Sequence, residues 1–241
     1  MHFIGITGGV GAGKSFILDY LRSQYGAVVL LTDDLAQELM LPGHELYQKL
    51  REHLPASCFL PDGDKNYENA DHDRAGSGNT DLENAGPGQA GSGNADCKQT
   101  GSGVTGQGEI NRRAMAEWMY ADQARIDLVN SLVHPAVVRE ILFRRDRLAE
   151  EGRKYFFVES ALLLGSDLEP CLDECWYIYT SEENRRIRLK ASRGYSDEKI
   201  TAIFRAQLPE EVFRKKCRIV IDNNGTEEES RAEIDLAMAG L

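Results

Sequence analysis

Five short apolar runs alternate with segments of helical periodicity along the chain. The runs are almost continuously hydrophobic, which is typical of strands that are covered on both faces. We predict strands at residues 2–7, 27–32, 154–160, 175–180 and 217–223. Strands that alternate with helices predict an α/β fold with a five-stranded parallel sheet and helices on both faces. Ligands of such sheets bind at the carboxyl ends of the strands.

One long segment shows neither pattern. Residues 62–108 hold 11 of the 23 glycines, almost no large apolar side chains and two copies of AGSGN. Eight acids against three bases give the segment a net charge of −5. Because such a composition buries too little surface to offset the chain entropy, we predict a disordered acidic insertion. The rest is predicted to divide into a core (1–61, 152–180 and 217–241), a helical lobe (109–151) and a basic helical segment (181–216).

Composition limits the classes of partner. The chain has 241 residues and a net charge of −11, which argues against a general nucleic-acid or anionic-membrane surface. Five cysteines without a C-x-x-C pair argue against a zinc site and favour free thiols in a reducing compartment. Neither a signal-type segment nor an apolar stretch of transmembrane length is present in the sequence. We therefore expect a cytoplasmic protein, monomeric or a small homo-oligomer, with no nucleic-acid or membrane partner.

A glycine-rich turn joins the first predicted strand to the first predicted helix. GGVGAGKS, residues 8–15, fits G-x-x-x-x-G-K-[ST] without a mismatch. Its backbone N–H groups and the helix N-terminus favour a bound phosphate. Lys14 is expected to reach the β- and γ-phosphates, and the Ser15 hydroxyl to bind Mg²⁺. An incidental glycine-rich turn is disfavoured by the flanking strand and helix. The predicted nucleotide-binding residues are Gly9, Val10, Gly11, Ala12, Gly13, Lys14, Ser15 and Phe16.

Two aspartates follow the second strand. Asp33 and Asp34 lie at the edge of the sheet where the glycine loop begins. A carboxylate there can accept the proton of an attacking hydroxyl, or hold Mg²⁺ through water. It can equally cap the helix predicted at residues 35–40, because acids favour a first turn. The position by itself favours neither interpretation.

The segment from residue 181 to residue 218 is basic in an acidic chain. It carries eleven bases and six acids, and a solvated helix face accounts for most of them. Arg188 and Arg193, however, flank a predicted helix end at SRGYS, and Ser196 there begins a new helix. This pattern favours a mobile helical lid whose arginines neutralise phosphate charge and exclude water.

Taken together, these segments resemble the dephospho-coenzyme A kinase family. The similar pieces are ITGGVGAGKS, TDDLAQEL, GEINRRAMAEWMY, LVHPAV, RIRLKASRGYSDEKI, RAQLPEEVFRKKC and IVIDNNGT. They cover nearly the whole chain outside residues 62–108. The resemblance implies a P-loop kinase fold, with an acceptor-binding lobe at 109–151 and an arginine-bearing lid at 181–216.

The resemblance also implies an activity. The family transfers the γ-phosphate of ATP, with Mg²⁺, to the 3′-hydroxyl of dephospho-CoA, the last step of coenzyme A synthesis. It makes Asp33 the base and Lys14 a catalytic residue, and it gives Arg188 and Arg193 to the phosphates. It assigns Asn223 and Asn224 to the adenine end of ATP, although DNNG is by itself typical of a tight turn.

Some positions depart from the family pattern. Leu31 stands where the family often has an acid, and ALLLG replaces a Pro-Leu-Leu run without the acid that usually follows it. Glu159 lies earlier in the chain, so the sequence leaves the acceptor pocket there undefined. His134 is either an acceptor-lobe residue or a packing histidine. Another P-loop small-molecule or nucleotide kinase and an inactive binding module remain alternatives; a GTP-binding switch is disfavoured because N-K-x-D is absent from the sequence.

Overall fold

The structure, a computed structural model, describes residues 1–61 and 108–241. These residues form two compact units, the first from 1–35 and 137–241, the second from 36–61 and 108–136. The predicted insertion lies outside the described residues except for its last residue. Gly108 is buried, and its carbonyl accepts a hydrogen bond from the Tyr47 hydroxyl, so the described chain resumes one residue before the predicted boundary.

All five predicted strands are confirmed, each to within two residues at either end. They are β1 (His2–Thr7), β2 (Val28–Leu31), β3 (Tyr155–Glu159), β4 (Glu174–Tyr179) and β5 (Ile219–Asp222). Every neighbouring pair is parallel, and the order across the sheet is β2-β3-β1-β4-β5. The first strand is therefore central, and the loop that follows it emerges in the middle of the sheet edge.

The helices of the described chain are α1 (Lys14–Tyr25), α2 (Thr32–Leu39), α3 (Glu45–His53), α4 (Arg112–Tyr120), α5 (Gln123–Glu150), α6 (Glu182–Arg193), α7 (Asp197–Ala206), α8 (Glu210–Lys216) and α9 (Glu227–Ala239). α1 ends at Gly26, whose φ of 61° favours glycine. Ser196 caps α7 as predicted. The helix predicted at residues 35–40 begins earlier, at Thr32. Pro135 is expected to interrupt the helix in this part of the chain, because proline lacks the N–H donor; α5 instead continues through it, since one lost donor is tolerated within 28 residues.

The main hydrophobic core lies between one face of the sheet and helices α1 and α9. Ile4 and Ile6 point to the same face of β1, because side chains alternate along a strand. They are fully buried with Ile17 and Leu21 of α1 and Ile234 of α9. This packing fixes α1, and with it the glycine loop that precedes α1, on the sheet.

The opposite face of the sheet is covered as well. Phe3 stacks on Phe156 with ring centroids 5.2 Å apart, and the guanidinium of Arg145 on α5 lies 5.8 Å from the Phe3 ring. Tyr177 of β4 stacks on Phe213 of α8 at 4.8 Å. Helices on both faces explain why the strands read as continuous apolar runs. Within the described residues, no helix is both long enough and apolar enough to cross a membrane.

The second unit is helical and brings together the two chain ends that border the undescribed residues. Phe59 and Ile110 form an isolated antiparallel bridge. The Leu60 N–H donates to the Glu109 carbonyl at 2.8 Å. The Tyr47 ring packs edge-on against Phe59 at 6.1 Å. The two described chain ends, at residues 61 and 108, therefore lie close together in this unit.

We expect Phe157→Ala to destabilise the protein strongly. The Phe157 ring is fully buried and lies 5.3 Å from that of Trp176, so truncation leaves a cavity in the main core. The expected loss in the free energy of unfolding is about 3–5 kcal/mol. Leu236→Ala, at a position 77% exposed, is the control and should change stability by no more than about 0.5 kcal/mol. Urea denaturation of both variants measures the difference, and equal midpoints would contradict this account of the core.

Candidate active site

The carboxyl ends of all five strands contribute polar side chains to one edge of the first unit. Thr7 ends β1, Asp33 follows β2, Glu159 ends β3, Thr180 follows β4 and Asn223 follows β5. In a parallel sheet these ends lie at the same edge. The structure thus brings Asp33 and Asn223, which were predicted, to the same edge as Thr180 and Glu159, for which no role was predicted.

Side chains hold the glycine loop through its carbonyl oxygens. The ammonium of Lys14 donates to the carbonyls of Gly8 at 2.9 Å and Gly9 at 3.4 Å. From α6, Nε of Arg185 donates to the Val10 carbonyl at 2.8 Å. Because the C=O and the next N–H of a trans peptide point in opposite directions, fixing a carbonyl also fixes an N–H.

The Ala12 carbonyl is the most heavily bonded of these oxygens. It accepts from Nδ2 of Asn223 at 2.7 Å, from Oγ1 of Thr180 at 3.0 Å and from Arg188 at 3.4 Å. Asn223 is almost fully buried, and its Oδ1 accepts from the Ser230 hydroxyl at 2.8 Å. The Asn223 side chain is therefore a support of the loop, a role that the sequence did not indicate.

A buried ion pair lies beside the loop. Nζ of Lys14 is 3.5 Å from Oε1 of Glu159, and both side chains are almost fully buried. Burial lowers the pKa of Lys14, and the charge of Glu159 opposes that shift. Burial likewise raises the pKa of Glu159 to about 7, although Lys14 acts in the other direction. Oε1 of Glu159 has no hydrogen-bond partner among the residues that the structure describes.

Asp33 lies in the first turn of α2 together with Asp34. It is exposed to solvent, yet the protein packed around its carboxylate and the charge of Asp34 raise its pKa, while Lys14 lowers it. A carboxylate with a raised pKa is a stronger base. Its place in the first turn also suits the helix dipole, so the position is compatible with both interpretations of this residue.

The two predicted arginines face the loop together. A pocket of about 240 Å³ is lined by residues 11–15, Arg188, Leu189, Ser192 and Arg193. Arg188 also donates to the Asn223 carbonyl at 2.7 Å. The pocket therefore has the glycine loop on one wall and two guanidinium groups on another, which suits a polyphosphate.

The remaining predicted residues have mixed surroundings. Ser15 is exposed. Phe16 packs against the main core and lies 5.6 Å from the Arg231 guanidinium. Oδ1 of Asn224 accepts from the Ser181 N–H at 2.8 Å and from Asn184 at 3.0 Å. Its Nδ2 donates to Asp222 of β5. His134 is exposed on α5.

Arg185 is a further site residue that sequence reasoning missed. It was one of eleven bases, but it lies three residues before Arg188 and four before Leu189, a spacing that places all three on one face of a helix. That spacing was the available signal. Leu189 packs with Val10 of the loop and with Ile200 of α7, so this face of α6 is the one that contacts the loop.

A glycine loop between a central parallel strand and a helix, closed by lysine and serine and faced by arginines, defines a P-loop nucleotide-binding protein of the kinase class. The sequence profile of the family described as dephospho-CoA kinase matches residues 2–69 and 98–229. The chain belongs to this family.

Relatives agree with this membership, and solved structures share the fold. A dephospho-CoA kinase of Carboxydothermus hydrogenoformans is 26% identical over 234 residues, which cover 97% of this chain and 91% of the relative. One from Streptococcus mutans is 28% identical over 238 residues, with coverages of 99% and 96%. Among solved structures, TT1252 from Thermus thermophilus has a TM-score of 0.67 at 26% identity, covering 100% of this chain and 99% of that one. A dephospho-CoA kinase from Campylobacter jejuni, at 16% identity, has a TM-score of 0.60 and shares the fold, with coverages of 98% and 94%.

We expect Glu159→Gln to change how stability depends on pH. The folded protein holds a proton on Glu159 up to a pKa of about 7, whereas the unfolded chain releases it near the ordinary value of 4.5. The contribution of Glu159 to the free energy of unfolding is therefore fully present below pH 4.5. It is lost as the pH rises to 7, and the loss amounts to up to about 3 kcal/mol. Thermal melting without nucleotide should show the wild type losing stability, relative to the variant, across this range.

The exposed residue Glu183 supplies the control for this measurement. Glu183→Gln should follow the wild-type pH dependence. Parallel curves for the wild type and Glu159→Gln between pH 4.5 and 7 would show that Glu159 does not hold a proton in the folded protein.

Proposed function

We propose that this chain transfers the γ-phosphate of ATP to the 3′-hydroxyl of dephospho-CoA, giving CoA and ADP. Membership of the dephospho-CoA kinase family supports the reaction and its acceptor. One observation carries the proposal. In a chain that matches this family, the buried Lys14 side chain is held against the glycine loop by hydrogen bonds to the carbonyls of that loop. The proposal also places the protein in the cytoplasm, as a monomer or small homo-oligomer.

The cationic residues are proposed to hold the triphosphate. Lys14 can exchange its bonds to the Gly8 and Gly9 carbonyls for phosphate oxygens, since both kinds of bond are charge-assisted. Arg188 and Arg193 line the same pocket and can neutralise charge that develops during transfer. Asn223 and Asn224 are proposed to act at the adenine end of ATP. Because their side chains are hydrogen-bonded to other residues of the protein, this role is proposed to be indirect: they hold the backbone around the adenine end in place.

The oxygen atoms at the site fit Mg²⁺. This ion prefers oxygen ligands and usually keeps several waters. The exposed hydroxyl of Ser15 can bind the ion directly. Oγ1 of Thr7 is buried without a hydrogen-bond partner among the described residues, and Oε1 of Glu159 has an ion pair with Lys14 but no hydrogen bond, so both oxygens can accept bonds from the waters of the ion. When bound, Mg²⁺ neutralises phosphate charge.

Asp33 is proposed to accept the proton of the attacking 3′-hydroxyl. Its raised pKa and its solvent-exposed position at the sheet edge support this role. The acceptor is proposed to be bound by the helical segment at residues 109–151, and residues 181–216 are proposed to cover the phosphates.

A coupled ADP-release assay tests the function. We expect release with dephospho-CoA as the acceptor and only background release with a panel of nucleosides, nucleotides and shikimate. Lys14→Ala should abolish the release, which excludes a contaminating kinase. If another alcohol of the panel gave faster ADP release, that alcohol would be the substrate in place of dephospho-CoA. Binding of MgATP without turnover of any acceptor would favour an inactive binding module.

Replacing Asp33 by asparagine tests the proposed base. Asp33→Asn should lower kcat by about 10²–10⁴-fold, because the amide cannot take a proton. Asp34→Asn is the matched control, since its carboxylate occupies the same first turn and it should lose no more than a few fold. The two variants should bind MgATP equally in calorimetry. A near-normal kcat for Asp33→Asn would remove Asp33 from this role.

A further inference from the structure

Arg185 is turned onto the glycine loop from the first turns of α6. Its Nε donates to the Val10 carbonyl at 2.8 Å, while another nitrogen donates to Oε1 of Gln207, just beyond α7. The ring of Phe204 lies against its guanidinium, with Cζ 4.1 Å from the ring centroid. Three elements of the described chain thus meet at this one side chain: the loop, α6 and the end of α7.

Gly9 leaves the room that Arg185 occupies. A Cβ atom placed on Gly9 would overlap the guanidinium, with all three of its nearest atoms belonging to Arg185. The backbone of Gly9 does not lie in the left-handed region, so its conformation does not itself require glycine. A side chain at this position would therefore require the guanidinium of Arg185 to move away from the loop.

The hydrogen bond from Arg185 to the Val10 carbonyl affects phosphate binding through the peptide unit between Val10 and Gly11. The carbonyl of Val10 and the N–H of Gly11 belong to one planar trans unit and point in opposite directions. Fixing the carbonyl on Arg185 therefore fixes the direction of the Gly11 N–H. In a P-loop such N–H groups form the phosphate cradle.

We propose that Arg185 is a positioning residue for ATP: it orients the Val10–Gly11 peptide of the phosphate cradle and ties that orientation to Gln207 at the end of α7. The role builds on the proposed function, because it concerns the nucleotide of the same site. Arg185 acts through the loop, in contrast to Arg188 and Arg193, which line the pocket itself.

Arg186 provides a matched control on the same helix. Its guanidinium also lies near Phe204, at 5.5 Å from the ring centroid. It forms ion pairs with Glu182 at 3.0 Å and Asp197 at 3.1 Å, on α6 and α7. Replacing Arg186 therefore removes a guanidinium near the same aromatic ring without removing the bond to the loop.

Calorimetry with MgATP, in the absence of any acceptor, measures the effect. Arg185→Met should raise the Kd of MgATP by about 10- to 100-fold, the loss expected for a hydrogen bond to a charged group. Arg186→Met should change it by no more than about threefold. In turnover, Arg185→Met should raise the KM for ATP more than it lowers kcat. Arg185→Lys keeps one donor for Val10 and should restore part of the affinity.

A mutant cycle with Gly9→Ala separates positioning from a general structural role. The new Cβ should displace the guanidinium in the wild type and weaken MgATP binding about as much as Arg185→Met does. In the Arg185→Met background the obstruction is gone, so Gly9→Ala should add little. Should Arg185→Met fail to fold, the same cycle is run with Arg185→Lys, whose smaller head group leaves more room for the Cβ.

Fully additive effects in this cycle would overturn the proposal. Equal losses of affinity in Arg185→Met and Arg186→Met would also overturn it, because the loss would then come from helix stability. The experiment is independent of the acceptor. Failure to phosphorylate dephospho-CoA would refute the proposed function and leave this result standing, whereas wild-type MgATP affinity in Arg185→Met would refute only the role of Arg185.

Discussion

The site depends on which groups form hydrogen bonds with the backbone of the glycine loop. A loop that offers N–H groups to a phosphate cannot also form a regular hydrogen-bond ladder, so its carbonyls need donors from elsewhere. Here the carbonyls of Gly8, Gly9, Val10 and Ala12 all accept bonds from side chains. Those side chains come from α1, from α6 and from the loops after β4 and β5. The strand order matters because it brings these elements around the central loop.

Several of these donors carry a charge, which makes their burial costly. Lys14 and Glu159 are both shielded from water, and burial shifts the pKa of each toward the neutral form. Such a pair gives little stability by itself, because desolvation offsets the attraction between the two ions. A polyphosphate adds negative charge beside Lys14, beyond that of Glu159. The arrangement favours ligand binding at the expense of folding stability, as is common at functional sites.

Features encoded locally could be predicted, whereas those created by packing could not. Continuous apolar runs gave the five strands, and the spacing of glycine, lysine and serine gave the loop. Glu159 acquires its role only because β3 lies next to β1, and no local signal fixes that order. The role of Arg185 could be predicted only by knowing which face of α6 contacts the loop. Asn223 looked like a turn residue or an adenine contact, and its bond to Ala12 spans 211 positions of the chain.

The basic segment at residues 181–216 illustrates how packing alters an interpretation based on charge. Each of its helices has an apolar side chain buried in the first unit: Leu189 on α6, Ile200 on α7 and Phe213 on α8. Swinging the whole segment away would separate Leu189 from Val10 and Phe213 from Tyr177, expose Phe213 at a cost of about 1.5–3 kcal/mol, and remove Arg185 from the loop. Shielding of the phosphates is therefore easier to achieve by rotating long side chains such as Arg193 than by a hinge motion of the entire segment.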